Sequence, residues 1–243
     1  LIDYHLRNYS AAIDRGNLAS APAADIDGES RPGSDGFVDI GADETDSAFV
    51  GPPDLTRPDS RVTELADIFT SPTFDVPFAA SDSESGVRHV ELYFSKDGGA
   101  WMQYGTTFTL SPVFFDTTLT GGNGRYRLYT VATDVAGNTE TVPPSPDAET
   151  LVVGTFAGAR VYVDHEAAGF ELGTDWTDAF REIRTALVVS AAHAVSEVWV
   201  AEGVYSEVTT MTTGVAVYGG FAGTETQLSE RNIRDRETII DGS

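Results

Sequence analysis

The stretch from residue 126 to 138 constrains the fold more than any other part of the chain. Its first eight side chains alternate, so that Tyr126 and Leu128 belong to one face and Arg127 to the other. This two-residue period is typical of a half-buried β-strand. The Asp-Val-Ala-Gly-Asn sequence that follows favours a turn. The centre of the chain is therefore expected to be a β-sheet region.

Further short alternating segments lie on both sides of this strand. Their inward side chains are predicted to be Phe74, Val76, Phe78 and Ala80 on one strand, Val90, Leu92 and Phe94 on another, and Val113 and Phe115 on a third. A last strand is expected between Glu149 and Phe156, and glycine-rich turns at 96–99 and 121–124. Seven or so short strands in about 100 residues predict a two-sheet sandwich.

The charge of the chain excludes some partners. The sequence has 38 acidic and 15 basic residues, a net charge of -23, and 41% hydrophobic residues. Such a surface repels nucleic acid and anionic lipid. It is explained either by solubility or by a need for divalent cations or salt, and composition does not choose between these.

Several kinds of chemistry are also excluded by composition. The chain has no cysteine, so disulfides, thiolate catalysis and cysteine-ligated metals are absent. His5, His89, His165 and His193 show no ligand-like spacing and are expected to be surface or packing residues. No apolar run is long enough for membrane insertion, and the sequence as it starts at Leu1 does not show the charged-then-apolar pattern of a signal segment. We expect the sequence to be a piece of a longer protein.

The first 47 residues carry too little apolar material for a core of their own. Their recognisable pieces are Asp-Tyr-His-Leu at 3–6, Ala-Ile-Asp-Arg-Gly at 12–16, Asp-Ile-Asp-Gly at 25–28 and Val-Asp-Ile-Gly-Ala-Asp-Glu at 38–44. In this order they resemble the C-terminal end of secreted bacterial right-handed parallel β-helix proteins. The resemblance implies that residues 1–47 close the last coil of a β-helix.

The segment Asp25-Ile26-Asp27-Gly28 has two interpretations. Alternate aspartates before a glycine begin an EF-hand-like calcium loop, but the rest of such a loop is missing. The other interpretation is a polar turn in which Arg31 pairs with Asp25 or Asp27.

The pattern changes again after residue 157. A short strand is predicted at 161–164, and a helix with Asp175 as its N-cap should present Trp176, Phe180, Ile183 and Leu187 on one face. Strands at 197–205, 215–221 and 238–242 follow at a solenoid-like spacing of about twenty residues. Trp176, Trp199, Phe180 and Phe221 are expected in the core and cap.

This last segment resembles the N-terminal start of the same β-helix class. Its Trp-Val-Ala-Glu-Gly-Val-Tyr and Tyr-Gly-Gly-Phe-Ala-Gly strands carry the resemblance. The middle segment resembles bacterial immunoglobulin-like and fibronectin type III-like domains, with Tyr126 where a tyrosine corner is expected. The predicted organisation is a β-helix end at 1–47, a linker at 48–60, an immunoglobulin-like sandwich at 61–156 and a capped β-helix start at 157–243.

One metal site is predicted from the topology of such a sandwich. The loops after its second and penultimate strands lie at the same end, which would bring together Asp82, Glu84, Asp134 and Asn138. Oxygen ligands of this kind suit calcium. The alternative is that Asp134 and Asn138 bind the backbone of their own turn. No other cofactor is expected.

Two other candidate sites are less specific. Trp101, Tyr104, Tyr93 and Tyr129 either form an exposed aromatic platform for sugar or pack against cross-strand neighbours. Paired carboxylates for lyase or glycosidase chemistry can be drawn anywhere in so acidic a chain, so no residue is assigned as catalytic.

These observations lead to two expectations about function. The first is a non-catalytic structural or adhesive region of a secreted or cell-surface bacterial multidomain protein, in which the sandwich spaces two β-helices. The second is an accessory region of a secreted polysaccharide lyase or glycoside hydrolase. Both imply an extracellular location, with a polysaccharide or cell-surface glycan as the expected partner.

Overall fold

The computed structural model describes residues 5–6, 10–34, 36–45 and 54–242, and in them the protein is mostly β. Its contacts define two compact units. Unit 1 contains the described residues up to Thr56 together with 83–85 and 135–138, and unit 2 contains the others. The predicted motif residues 3 and 4, and residues 48–53 of the predicted linker, lie outside the described residues.

Buried carboxylates are prominent in the described part of unit 1. There the buried hydrophobic residues are Ile13 and Val38, and Asp39, Asp43 and Glu44 are buried as well. Asp39 accepts backbone N–H bonds from Asp14 and Thr45 through its two oxygens, at 2.7 and 3.0 Å. These backbone N–H donors satisfy the oxygens of a buried carboxylate, which suits a segment with so little apolar material.

Arg31 does not pair with Asp25 or Asp27, so that prediction is wrong. Its Nε lies 3.2 Å from Oε2 of Glu44, and the two side chains are only 4% and 3% exposed. Its Nη2 also donates to the backbone carbonyls of Gly41 and Asp43. The buried guanidinium therefore ties the turn to a distant segment, which local spacing does not reveal.

The predicted turn at 25–28 is present. Asp25 accepts N–H bonds from Asp27, Glu29 and Glu44. Partial desolvation opposes the shift, but these backbone donors lower the pKa of Asp25 below its usual value.

Nine strands form the first part of unit 2. They are β1 Asp59–Val62, β2 Ile68–Phe69, β3 Thr73–Val76, β4 Phe78–Ser81, β5 Val87–Lys96, β6 Met102–Phe108, β7 Val113–Asp116, β8 Gly124–Asp134 and β9 Ala148–Val152. Five of them form one sheet in the order β2-β9-β8-β5-β6, and β1-β4 and β3-β7 form two-stranded sheets. All pairs are antiparallel except β2-β9. We call this part the antiparallel region.

The alternation in β8 sets the core of the antiparallel region. Tyr126 and Leu128 are fully buried, and they join one cluster with side chains of β3, β5 and β7. Arg127, on the other face, is exposed. The Tyr126 hydroxyl donates to the carbonyl of Gly122 at 2.6 Å, the kind of contact expected of a tyrosine corner.

The predicted strand from Phe74 to Ala80 is two strands. β3 pairs with β7 and β4 pairs with β1, with Pro77 between them. Proline has no N–H to donate to a ladder, so the chain changes sheets at this position.

The second part of unit 2 contains parallel strands and one α-helix. Its elements are β10 Val161–Val163, α1 Ile183–Ala192, β11 Glu197–Ala201, β12 Gly203–Ser206, β13 Ala216–Phe221 and β14 Thr238–Asp241. The parallel sheets are β10-β11-β13 and β12-β14. We call this part the parallel region.

The strand predicted at 197–205 is also divided. It is interrupted at Glu202, just before Gly203, whose φ is 145° and where a Cβ would clash with the His165 ring. As a result β13 pairs with β11 and β14 pairs with β12. The four strands from β11 to β14 therefore alternate between two sheets.

The helix begins later than Asp175, so its predicted N-cap is wrong. Asp175 instead accepts N–H bonds from Thr177 and Asp178, which closes a turn. Phe180 donates its N–H to the carbonyl of Tyr162 at 2.9 Å in a β-bridge, which keeps this position out of a helix. The helix starts at Ile183, where both oxygens of Glu207 bind its first N–H groups at 2.7 Å.

The two regions of unit 2 share a hydrophobic cluster. Leu151 and Val153, at the end of the antiparallel region, pack with side chains of β10, α1 and β11. His193, after the helix, is hydrogen-bonded through Nε2 to the carbonyl of Val153 at 2.7 Å. The predicted boundary at 156/157 therefore separates segments that contribute to one core.

Candidate functional site

Two of the four predicted calcium ligands lie together in unit 2. A carboxylate oxygen of Asp82 lies within 4.8 Å of a carboxylate oxygen of Asp134. Asp134, the last residue of β8, is fully buried, and Asp82 accepts the N–H of Gly86 at 2.8 Å. Two carboxylates at this separation repel each other, and a divalent cation would remove that repulsion.

The other two predicted ligands belong to unit 1. Glu84 accepts the hydroxyl of Thr56 at 3.0 Å, and Asn138 donates its amide to the carbonyl of Asp54 at 3.1 Å. Hydrogen bonding by Ser85, together with the N–H of Thr56, lowers the pKa of Asp54. Calcium binding at Asp82 and Asp134 stays a prediction.

A second group with metal-ligand chemistry lies in unit 1. Nε2 of His5 is 2.7 Å from Asp27, and ligand atoms of His5, Asp27 and Asp43 all lie within 4.8 Å of one another. Asp43 also accepts the N–H of Leu6 at 2.7 Å. The sequence predicted His5 to be a surface or packing residue, and its distance along the chain from both aspartates gives no local signal for the group.

The four predicted platform residues do not share a face of the sheet. Tyr93 and Tyr129 stack at 5.0 Å across β5 and β8, and Trp101 lies 4.6 Å from Tyr129. Tyr104 is on the opposite side, 4.3 Å from Phe115 in the core. The platform as predicted is therefore wrong for Tyr104, because strand alternation turns its side chain inward.

The other three aromatic side chains, Tyr93, Tyr129 and Trp101, pack mainly against one another. Tyr129 is buried between its neighbours, and Trp101 is 41% exposed. The hydroxyl of Tyr93 and the amide of Gln103 both donate to Glu91, at 3.0 and 3.2 Å. Partial burial, with Glu91 beside the hydroxyl, raises the pKa of Tyr93. This arrangement favours the cross-strand packing interpretation and leaves Trp101 as the most exposed of the three rings.

Sequence reasoning missed a network of alternating charges in unit 2. Arg127 and Arg125 bind Glu149 at 2.8 and 3.0 Å, and Arg125 and Arg181 bind Glu171 at 3.1 and 3.3 Å. Desolvation opposes ionisation of Glu149, but the two arginines lower its pKa. The only sequence signal was Arg-Tyr-Arg at 125–127, which places two arginines on one strand face.

Two cavities border this network. Arg125 and Glu171 line both of them. The first cavity, of about 560 Å³, also extends to α1. The second, of about 210 Å³, lies beside the loop at 169–171. The network therefore lies where the antiparallel and parallel regions meet inside unit 2.

The aromatic residues predicted for the core and cap of the parallel region are mostly buried. Trp199, Phe180 and Phe221 are buried, whereas Trp176 is partly exposed. Trp199 stacks on Phe221 at 4.6 Å, and the guanidinium of Arg160 lies 3.9 Å from the Trp199 ring centre. These side chains are explained by packing and a cation–π contact.

Across residues 5–6, 10–34, 36–45 and 54–242, no helix is both long and apolar enough to span a bilayer. Comparison with known proteins gives no match: no family model matches the chain, and neither a curated protein nor a solved structure matches it significantly.

Proposed function

We propose that this chain is a non-catalytic structural region of a secreted or cell-surface bacterial multidomain protein. In this proposal an immunoglobulin-like sandwich, the antiparallel region, is a spacer between the end of one β-helix and the capped start of another. The observation that carries it is the hydrophobic cluster shared by Leu151 and Val153 with β10, β11 and α1.

A spacer that transmits position must not bend freely where it meets its neighbour. Leu151 and Val153 are buried on the side of the parallel region, while Val152 between them packs into the antiparallel core. One strand end therefore contributes to both cores. Separating the two regions would expose these side chains to water, at a cost of about 1.5–3 kcal/mol for each buried valine or leucine.

Two further features support the family assignments within the proposal. Parallel pairing of Val161, Val198 and Val217 at returns of 37 and 19 residues is the arrangement of stacked coils. The hydroxyl contact of Tyr126 with Gly122 is that of a tyrosine corner.

Unfolding of the two regions tests the rigid connection. With 5-fluorotryptophan, Trp101 reports on the antiparallel region and Trp176 and Trp199 report on the parallel region by fluorine NMR. We expect all three resonances to change at one urea midpoint, because a shared core couples the regions.

A matched pair of variants sharpens this test. Val153→Ala removes a buried joint residue and should lower all three midpoints together, whereas Val142→Ala, at an exposed valine, should leave them unchanged. If Val153→Ala lowered only the Trp176 and Trp199 midpoints, the two regions would be independent and the rigid spacer would be refuted.

A second candidate function is an accessory region of a polysaccharide-degrading enzyme. The observation that favours it is the exposure of Trp101. Indole faces bind the apolar faces of sugars. Retention of the chain on immobilised polysaccharide, lost in Trp101→Ala, would support this function over a purely architectural one.

A further inference from the structure

The cavity of about 210 Å³ in unit 2 has an unusual lining for so acidic a chain. Its lining includes Arg125, Arg127, Arg181, Phe170, Asp97 and Glu171. Three of the 15 basic residues in the sequence thus meet at one small cavity.

The two acidic side chains of the lining are already occupied. Asp97 binds the ammonium group of Lys96 and accepts the N–H of Arg125 at 2.8 Å. Glu171 forms ion pairs with both Arg125 and Arg181. The backbone of Glu171 has a φ of 61°, a conformation that costs energy in residues other than glycine and that often marks functional positions.

Two of the guanidinium groups keep donors for a ligand. Arg127 uses its Nε on Glu149, and Arg181 uses Nε on the carbonyl of Ala167 and Nη1 on Glu171. Within the described residues this leaves both terminal nitrogens of Arg127 and Nη2 of Arg181 for other partners. Their side chains are 47% and 49% exposed, so a ligand can reach them.

An aromatic ring completes the cavity. Phe170 is 49% exposed, and its backbone is fixed because its N–H donates to Asp178 at 2.6 Å. An exposed ring beside guanidinium groups suits a ligand that combines an anionic group with a flat apolar face. The cavity is smaller than the 300–1,000 Å³ or so typical of drug-sized ligands, so it fits one ring.

We propose that this cavity binds the carboxylate of one uronic-acid residue in an otherwise neutral saccharide. Arg127 and Arg181 hold the carboxylate, and Phe170 packs against the sugar ring. The charge of -23 on the chain repels a polyanion, so a single carboxylate is favoured over a polyuronate. This inference adds a ligand to the spacer proposed above and does not depend on the connection between the two regions.

Calorimetric titration with glucuronate-substituted xylotriose tests the proposal. We expect saturable binding, at least tenfold weaker binding of unsubstituted xylotriose, and weaker binding of polygalacturonate per uronate. Equal affinity for the neutral sugar, no binding at millimolar sugar, or tighter binding of polyglutamate than of the uronate sugar would each overturn it.

Variants locate the site. Arg127→Gln, Arg181→Gln and Phe170→Ala should each weaken binding of the uronate sugar by about tenfold or more. Arg88→Gln is the control: it removes one charge from an exposed position on β5 that does not line the cavity, and it should leave affinity unchanged. Melting curves of each variant show whether it is folded.

Retained affinity in a folded Arg127→Gln/Arg181→Gln double variant would refute the site. A change in the fluorine NMR unfolding midpoints, by contrast, bears only on the spacer.

Discussion

Leu128 is the residue on which the core of the antiparallel region depends most directly. It is fully buried in β8 and belongs to one cluster with side chains of β3, β5 and β7. Leu128→Ala should lower the free energy of unfolding by about 2–5 kcal/mol, because the cavity left behind adds to the lost transfer energy.

The neighbouring Arg127 provides the control. Its side chain is half exposed and pairs with Glu149, so Arg127→Ala should cost no more than about 1 kcal/mol. Urea melts of the two variants measure the difference. Equal effects would mean that the two faces of β8 are assigned the wrong way round.

At the residue scale, alternation along a strand predicted correctly which side chains are buried. Contacts between residues distant in the sequence were not predicted. The buried positions of Val90, Leu92, Phe94 and Leu128 were predicted correctly because the period of a strand is local. The Arg31–Glu44 pair and the approach of His5 to Asp27 were missed, since they depend on how turns bring remote segments together.

At the scale of elements, β1 is attached to β8 by carboxylates. Glu140 accepts the N–H of Ser60 and the N–H of Ala132, each at 2.9 Å. Asp147 accepts the N–H of Val62 at 2.9 Å and that of Thr130 at 3.0 Å. Two acidic side chains thus replace the carbonyls that a neighbouring strand would supply.

Neutralising these bridges should therefore loosen β1. Glu140→Gln keeps the size of the side chain but replaces one acceptor oxygen by a donor, which leaves a backbone N–H unsatisfied. We expect a loss of about 1–3 kcal/mol in unfolding free energy and faster amide exchange at Ser60 and Ala132.

The exposed Glu64 offers a matched control for this change. Glu64→Gln should alter neither stability nor exchange in β1. Unchanged exchange at Ser60 in Glu140→Gln would show that the carboxylate bridge does not hold the strand.

The positions of elements were predicted better than their boundaries. Strands were expected near almost every place where they occur, because turn residues and alternation are local signals. The division at Pro77 follows from its missing N–H and could have been predicted. The late start of α1 could not, since the β-bridge of Phe180 with Val163 and the capping of the helix by Glu207 have no local signal in the sequence.

At the scale of the whole molecule, the large negative charge is distributed among structural tasks. Buried carboxylates organise unit 1, Glu140 and Asp147 attach a strand, and Glu207 starts the helix. Composition alone left open whether the acidity served solubility or cations, because it does not show which carboxylates accept backbone N–H bonds. Of the predicted calcium ligands, Asp82 and Asp134 lie together in unit 2, because loop paths and not sequence spacing decide which carboxylates meet.

The pair Asp82 and Asp134 gives the last prediction. Asp134 is fully buried at the end of β8, and its carboxylate lies close to that of Asp82. A bound calcium would replace their repulsion by attraction to a common cation. A ligand at 100 times its dissociation constant adds about 2.7 kcal/mol to the folded state, so calcium at 100 times its dissociation constant should raise the melting temperature by several degrees.

Screening alone predicts a different result. Sodium chloride at matched ionic strength reduces repulsion throughout a chain of charge -23, but it does not act at one site. Calcium should therefore raise the melting temperature more than sodium does, and Asp134→Asn should remove that excess. Asp59→Asn, at an exposed position on β1, should retain it. An equal rise with sodium, or an excess that survives Asp134→Asn, would exclude calcium binding at this pair and leave screening of a dense negative charge as the explanation.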